Sequence, residues 1–159
     1  MEDMPDVQLL DGALFAALIE RARQSPRRRT NHNFHASAEE NPQRLMNVMI
    51  EGTYVAPHRH ADPPKSESFL VLQGRAAVFT FHHDGAVDAV HVLGGDPIGI
   101  DLAAGVWHTI AAVTPHVVCF EVKPGPYSAA NDKEFAPWAP REGDPAAAAY
   151  LAGLLARIR

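Results

Sequence analysis

The sequence is poor in cysteine, in long apolar runs and in excess positive charge. Cys119 is the single cysteine among 159 residues, which excludes an internal disulfide and a zinc cluster of several thiolates. No apolar run approaches the roughly 18 residues that a membrane span needs. The net charge of -5 argues against general nucleic-acid binding, which usually requires a basic face. We therefore expect a soluble globular protein that binds neither nucleic acid nor membrane.

The amino-terminal residues are acidic and lack the apolar core of a secretory signal. A cytoplasmic location is therefore the expectation. The chain has the usual size of one domain, and we predict a single domain over residues 1–159. Its predicted segments are an N-terminal helix (1–25), a connector arm (26–44), a β-rich barrel (45–123), a proline-rich tail (124–143) and a C-terminal helix (144–159).

A basic cluster precedes the β-rich segment. It comprises Arg21, Arg23, Arg27, Arg28 and Arg29. Cations near a helix C-terminus are favourable and usually solvated, so a solvated helix end is the simpler interpretation. The alternative is a contact with phosphate or with an anionic sugar nucleotide.

Between residues 45 and 123, β-branched and aromatic residues recur between Gly, Pro and Asp turn signals. The pattern predicts eight short strands at 44–51, 54–58, 67–73, 75–82, 87–93, 98–102, 108–112 and 117–123. Eight short strands with tight turns are typical of an all-β protein that closes as a barrel or as two facing sheets.

Nine histidines are a high count for this chain. His58 and His60 are separated by one residue, so an extended strand points both imidazoles to the same face, where they can bind one metal ion. A pair at this spacing also arises by chance. The other histidines, apart from His108, have no spacing that indicates a shared site: His32, His35, His82, His83, His91 and His116.

Two carboxylates lie near this pair in the sequence. Asp62 shares the strand parity of His60 but precedes two prolines, whereas Glu67 begins a predicted strand and lies seven residues before Gly74. The residues favour Glu67 as a ligand and leave Asp62 as the alternative. A chain in which these histidines bind no metal is the third interpretation.

The positions of Gly52, His58, His60, Glu67 and Gly74 resemble the first motif of the cupin superfamily. The second motif of that superfamily is matched in part by residues 103–108, which end in His108. Ala103 stands where proline is usual, and Pro97 stands where the first glycine of the motif would fall. The resemblance implies a cupin-type β-barrel, also called a double-stranded β-helix or jelly roll, with short terminal helices.

More closely, the chain resembles the WbuC family of cupin-fold metalloproteins, which is associated with polysaccharide gene clusters. The segments that carry this resemblance are 25–27, 44–47, 52–55, 57–60, 65–67, 105–109, 120–127 and 132–138. Carried over by position, the resemblance implies four metal ligands: His58, His60, Glu67 and His108. Imidazoles with one carboxylate suit Fe, Mn, Ni, Co or Zn, and we expect one divalent metal ion per chain.

We predict that the substrate pocket is lined by Tyr54, Phe69, Phe79, Phe81 and Ile110. Ile110 follows from the strand parity of His108, and the phenylalanines are candidates for an apolar cavity inside the barrel. Ordinary core packing is the alternative for the phenylalanines. Solvent exposure or a dimer contact is the alternative for Tyr54.

The resemblance implies that the metal centre acts on or binds a small polar molecule, with a sugar or sugar nucleotide of polysaccharide metabolism as the leading class. The sequence leaves three activities open: a metal-dependent isomerase or oxygenase, a dioxygenase of a non-sugar metabolite, and a noncatalytic binding or sensing protein. We also expect a homodimer, because the arms 26–44 and 124–143 are suited to crossing onto a second copy.

Overall fold

The structure is a computed structural model that describes residues 4–158, and it contains two five-stranded antiparallel sheets that face each other. Its helices are α1 (Gly12–Gln24) and α2 (Ala147–Leu155), and its strands are β1 (Arg29–Asn33), β2 (Gln43–Ile50), β3 (His58–Arg59), β4 (Glu67–Gln73), β5 (Ala76–Phe81), β6 (Val87–Leu93), β7 (Gly99–Leu102), β8 (Trp107–Ala112), β9 (His116–Lys123) and β10 (Glu134–Phe135). The strand order is β1-β2-β9-β4-β7 in the first sheet and β10-β3-β8-β5-β6 in the second.

The strands from β2 to β9 form a jelly roll. Each sheet contains four of them, and every connection except the β5 to β6 hairpin crosses from one sheet to the other. Eight strands in two sheets with these crossings are the jelly-roll arrangement. The predicted all-β fold class with two short helices is therefore confirmed.

Seven of the eight predicted strands agree with the structure to within one residue at each end. The strand predicted at 54–58 is different, because β3 begins only at His58. The preceding backbone carbonyls bond to side chains instead of a neighbouring strand. Arg29 donates to the carbonyl of Tyr54, and Thr109 donates to that of Val55. Pro57 has no N–H to offer a ladder.

The interior between the sheets changes character along the barrel. One end is apolar and contains a cluster of fully or almost fully buried side chains: Met49, Phe69, Val71, Val78, Leu93, Ile110, Val117 and Cys119. Burying each large aliphatic or aromatic side chain contributes about 1.5–3 kcal/mol. Burial raises the pKa of the Cys119 thiol to about 12, which agrees with its prediction as a core residue.

Helix α1 covers part of the outer face of the first sheet. Asp11 caps the helix by accepting a hydrogen bond from the backbone N–H of Leu14 at 2.9 Å, and the helix ends before the Ser25-Pro26 pair. Its buried residues Leu18, Ile19 and Ala22 pack against Met46, Val48 and Val118, which point outward from β2 and β9. The outer face of β4 stays open, with Leu70 and Leu72 exposed.

Helix α2 and the tail cover the outer face of the second sheet. Leu151 and Leu154 of the helix pack in one cluster with Phe79 and Phe81 from β5. Among residues 4–158, neither helix has both the length and the apolar character that crossing a membrane requires.

Both arms pack on their own chain. The connector arm contains β1, which pairs antiparallel with β2 and extends the first sheet. The proline-rich tail contributes β10, which pairs with β3 at the edge of the second sheet.

Glu142 fastens the tail to the connector arm. Its carboxylate accepts hydrogen bonds from Arg27 at 2.7 and 2.8 Å and from Arg29 at 2.8 Å. The hydrogen bond from Arg27, together with that from Arg29, lowers the pKa of the Glu142 carboxyl to about 2. The ionised carboxylate is thus favoured by folding.

We predict that Glu142→Gln destabilises the protein at neutral pH and has little effect near pH 2. A lowered pKa in the folded state gives stability that is complete above about pH 5 and is lost as the pH falls towards about 2. The effect should be about 1 kcal/mol or less, since Glu142 and Arg27 are solvent-exposed. Thermal unfolding at several pH values measures it, with the exposed Glu39→Gln as control. An equal difference at every pH would contradict the prediction.

Candidate metal centre

Four side chains converge at the polar end of the barrel interior. They are His58 on β3, His60 just after it, Glu67 at the start of β4 and His108 on β8. All four are buried, and the candidate ligand atoms lie within 4.8 Å of one another. The antiparallel pairing of β3 with β8 places His58 directly opposite His108. The structure thus brings together the four residues that the sequence resemblance assigned to a metal.

Two of the imidazoles are each oriented by a hydrogen bond to the backbone carbonyl two residues earlier. Nδ1 of His58 lies 2.9 Å from the carbonyl oxygen of Ala56, and Nδ1 of His108 lies 2.9 Å from that of Val106. Since a carbonyl accepts only, each Nδ1 carries the hydrogen in these pairs. In a neutral ring this leaves the Nε2 lone pair free to face the interior.

His60 is oriented by the tail. Its Nδ1 lies 2.5 Å from the carbonyl oxygen of Asp132, 72 residues later in the sequence. This long-range hydrogen bond has the same consequence for the tautomer, because Nε2 of His60 is then the free nitrogen. Each of the three imidazoles therefore donates its Nδ1–H to a backbone carbonyl, and its Nε2 lone pair is available to a metal ion.

The free atoms meet without hydrogen bonds. Glu67 Oε1 lies 2.5 Å from His108 Nε2, and Glu67 Oε2 lies 3.3 Å from His60 Nε2. Oε1 and both of these nitrogens are buried and have no hydrogen-bond partner. Buried lone pairs that face each other are unfavourable unless a cation lies between them. The donor set therefore fits a bound metal ion.

The electrostatics favour the protonation states that metal ligands need. Burial lowers the pKa of His58 well below its usual value, and His108 lowers it further. Burial alone would raise the pKa of Glu67, but the imidazoles of His108 and His60 hold it well below its usual range. A neutral imidazole and an ionised carboxylate are the forms that bind metal.

His60 behaves differently from His58. Burial lowers its pKa, but the adjacent Glu67 carboxylate outweighs burial and raises the pKa above the usual value. Metal binding needs the neutral ring, so a bound ion would displace a proton from His60 Nε2.

A cavity of about 420 Å³ opens beside the four residues. Its walls combine the candidate ligands with apolar and charged groups: His58, Glu67 and His108; Val55, Phe69 and Ile110; Asn47, Glu121, Lys123 and Lys133; and Arg27 and Arg29 from the basic cluster. Such a volume suits a small molecule that reaches the metal centre.

Of the five residues predicted for the substrate pocket, Phe69 and Ile110 line this cavity. Tyr54, Phe79 and Phe81 do not, because they pack on the outer side of the second sheet with helix α2.

The reason for this placement is strand parity. Val78 pairs with Ile110 across β5 and β8 and shares its inward direction, so Phe79 and Phe81 point outward. Tyr54 donates its hydroxyl hydrogen to the carbonyl oxygen of Pro140 at 2.6 Å. The rival carboxylate, Asp62, lies exposed in a turn outside the cluster.

Sequence reasoning missed Glu121 as a residue of this site. Burial and the nearby Glu67 carboxylate raise the pKa of Glu121 to about 7, and Asn47 lies 3.4 Å from its carboxylate. A signal was present in the sequence, because Glu121 shares the strand parity of Val117 and Cys119 and interrupts an apolar face. Lys133 and Asp132 carry no comparable local signal.

The sequence matches a family model described as "Domain of unknown function (DUF6016)" over residues 10–93. That range contains α1, the strands β1 to β6 and three of the four clustered side chains. No curated protein sequence matches the chain.

Solved structures share the fold. The capsular polysaccharide assembling protein CapF from Staphylococcus aureus is 20% identical with a TM-score of 0.59, and the match covers 70% of this chain but only 32% of CapF. Protein SO0799 from Shewanella oneidensis is 11% identical with a TM-score of 0.57 and coverages of 80% and 85%. A cupin 2 domain-containing protein from Halorhodospira halophila is 19% identical, with coverages of 82% and 83% and a TM-score of 0.48.

The likeness to CapF and SO0799, at these identities, concerns the fold alone. Together with the strand order, it supports the jelly-roll fold that the sequence motifs implied. This chain spans about a third of the length of CapF, so only that part of CapF is comparable.

Proposed function

The chain belongs to the family described as domain of unknown function DUF6016, and we propose its function from the geometry of the candidate site. We propose that His58, His60, Glu67 and His108 bind one divalent metal ion, and that the adjoining cavity holds a small polar molecule at that ion. The observation that carries the proposal is the convergence of buried lone pairs that have no hydrogen-bond partner. Membership of the WbuC family is part of this proposal and is supported by the segments quoted above.

The protein residues divide the work at this centre. The backbone carbonyls of Ala56, Val106 and Asp132 fix the imidazole tautomers, so the ligand nitrogens are aligned before the ion arrives. Phe69 and Ile110 exclude water from one wall of the cavity. A bound ion would supply a Lewis acid or a redox centre.

The metal proposal predicts about one divalent ion per chain in protein purified without a chelating tag. His58→Ala and His108→Ala should each weaken metal affinity by more than about 100-fold, since even outer partners of a ligand contribute 10–100-fold. Elemental analysis and metal titration measure this loss. Glu67→Gln, which keeps the side-chain volume, should also lose the ion.

The matched control is His91→Ala, because His91 is an exposed histidine on β6 outside the cluster. Circular dichroism checks that each variant is folded. Full metal occupancy in folded His58→Ala and His108→Ala would contradict the proposed site.

For the ligand, we propose a sugar or sugar nucleotide of polysaccharide metabolism. Two observations support this class: the WbuC resemblance, and the fold shared with CapF, which is a capsular polysaccharide assembling protein. Three activities are compatible with the centre. They are metal-dependent isomerisation or oxygenation, dioxygenation of a non-sugar metabolite, and binding or sensing without turnover.

We expect sugar nucleotides to bind the metal-loaded wild type more tightly than they bind the His108→Ala variant. Calorimetry measures the binding, and nuclear magnetic resonance spectra of the incubated ligand reveal any conversion. A product formed without oxygen consumption indicates an isomerase, and oxygen consumption indicates an oxygenase. A ligand that binds and remains unchanged indicates a binding protein. Equal affinity of the wild type and His108→Ala would contradict a ligand at the metal.

A homodimer stays part of the proposal, although the arms pack on their own chain. The uncovered outer face of β4 and the exposed Leu70, Leu72 and Ile98 offer a surface for a second copy. Sedimentation at micromolar concentration should give the mass of two chains. Leu70→Lys should shift the protein towards the monomer, and a wild-type monomer would contradict the prediction.

A further inference from the structure

A second cavity adjoins the cavity of the metal centre. It has a volume of about 340 Å³, and its walls come from β1, from the loop before β2 and from the tail. The two cavities share four residues: Asn31, Leu45, Lys123 and Lys133. They therefore form one elongated cleft, and two lysines stand where its halves meet.

The two lysines are unusual in this chain. Among 159 residues only Lys65, Lys123 and Lys133 are lysines, and two of the three line this junction. The Lys123 side chain is 11% exposed and that of Lys133 is 41% exposed. Lys123 is thus largely buried, Lys133 is exposed, and both side chains line the cleft.

Asp132 does not satisfy these ammonium groups. Its Oδ2 lies 3.6 Å from Lys123 Nζ and 4.0 Å from Lys133 Nζ, beyond hydrogen-bonding distance. Both carboxylate oxygens of Asp132 are buried without a hydrogen-bond partner. One carboxylate is therefore shared by two ammonium groups, which keep their donors for another anion.

The arginines of the cleft are already engaged. Arg27 and Arg29 both donate to Glu142, and Arg29 also donates to the carbonyl of Tyr54. Including those partners, the charged groups around the cleft number four basic side chains and four carboxylates: Arg27, Arg29, Lys123 and Lys133, and Glu67, Glu121, Asp132 and Glu142. A bound divalent ion would make the cleft net positive.

The second cavity offers neutral hydrogen-bonding groups and an aromatic ring. Asn31 and Asn33 line it, and Tyr127 presents a ring that is 41% exposed beside Lys123. Gln43 already donates to three backbone carbonyls of the neighbouring loop. An exposed ring beside free amides suits a flat polar group such as a nucleobase.

We propose that the cleft binds a nucleoside diphosphate-linked sugar, with the sugar in the metal cavity, the diphosphate at Lys123 and Lys133, and the nucleoside against Tyr127. This inference rests on the proposed function, because it assigns the ligand of the same centre. The two negative charges of a diphosphate diester complement the net positive charge of the metal-loaded cleft. The two cavities also give separate room to the two ends of such a molecule.

The experiment compares four probes by calorimetry: UDP-glucose, ADP-glucose, glucose 1-phosphate, which lacks the nucleoside, and uridine, which lacks phosphate. We expect at least one of the two nucleotide sugars to bind about tenfold or more tightly than either fragment. Lys133→Gln should weaken nucleotide-sugar and glucose 1-phosphate binding by about tenfold, since it removes a charge-assisted hydrogen bond. Tyr127→Leu should weaken the nucleotide sugar by roughly tenfold and spare glucose 1-phosphate.

The matched control is Arg23→Gln, which removes one positive charge from an exposed side chain of α1 outside both cavities. It should leave all affinities within about twofold. Equal binding of the nucleotide sugars and glucose 1-phosphate would overturn the use of the second cavity. No binding of either nucleotide sugar, or no effect of Lys133→Gln, would overturn the ligand class.

Each titration is run on metal-loaded and metal-free protein, with metal analysis of both samples. The lysines and Tyr127 provide none of the candidate metal ligands, so their substitutions should weaken binding in both forms. If the wild type retains no metal, the proposed function fails. The affinities of Lys133→Gln and Tyr127→Leu for the four probes still test this inference.

Discussion

Side chains alternate between the two faces of a β-strand, and every feature of this barrel depends on that alternation. Inward positions of the strands either fill the apolar half of the interior or line the polar half, and outward positions meet the helices. On β9, Val117 and Cys119 belong to the apolar half, while Glu121 and Lys123 belong to the cleft. One strand thus contributes to the packing that holds the sheets together and to the site that this packing supports.

The three candidate histidine ligands are held by backbone carbonyls. Two of these carbonyls lie two residues before the histidine that they orient, at Ala56 and Val106. The third, at Asp132, reaches the site from a distant segment. The buried carboxylate of Glu67 then faces nitrogens that cannot donate to it when the rings are neutral. Such a cluster costs free energy while it is empty, which is typical of sites that exist for a cation.

The sequence predicted seven of the eight barrel strands from local alternation and turn signals, and the resemblance to the cupin and WbuC motifs indicated the four clustered residues. The period of two that joins His58 to His60, and the motif that adds Glu67 and His108, need no knowledge of which strands are neighbours. The cleft needs that knowledge. Phe79 and Phe81 were assigned inward, but their direction depends on the register of β5 against β8. Lys133 and Asp132 reach the site through an irregular tail whose path no periodic pattern records, so their contribution became visible only in the structure.

The position of Asp132 has a consequence for where the functional unit ends. A fragment that stopped at Lys123 would keep all eight jelly-roll strands and all four candidate ligands. It would lose the carbonyl that orients His60, the carboxylate between the two lysines and one of those lysines. The boundary of the folded barrel and the boundary of the chemical site therefore lie at different places along the chain. An insertion or deletion between β9 and β10 would change the surroundings of the four candidate ligands without altering any barrel strand.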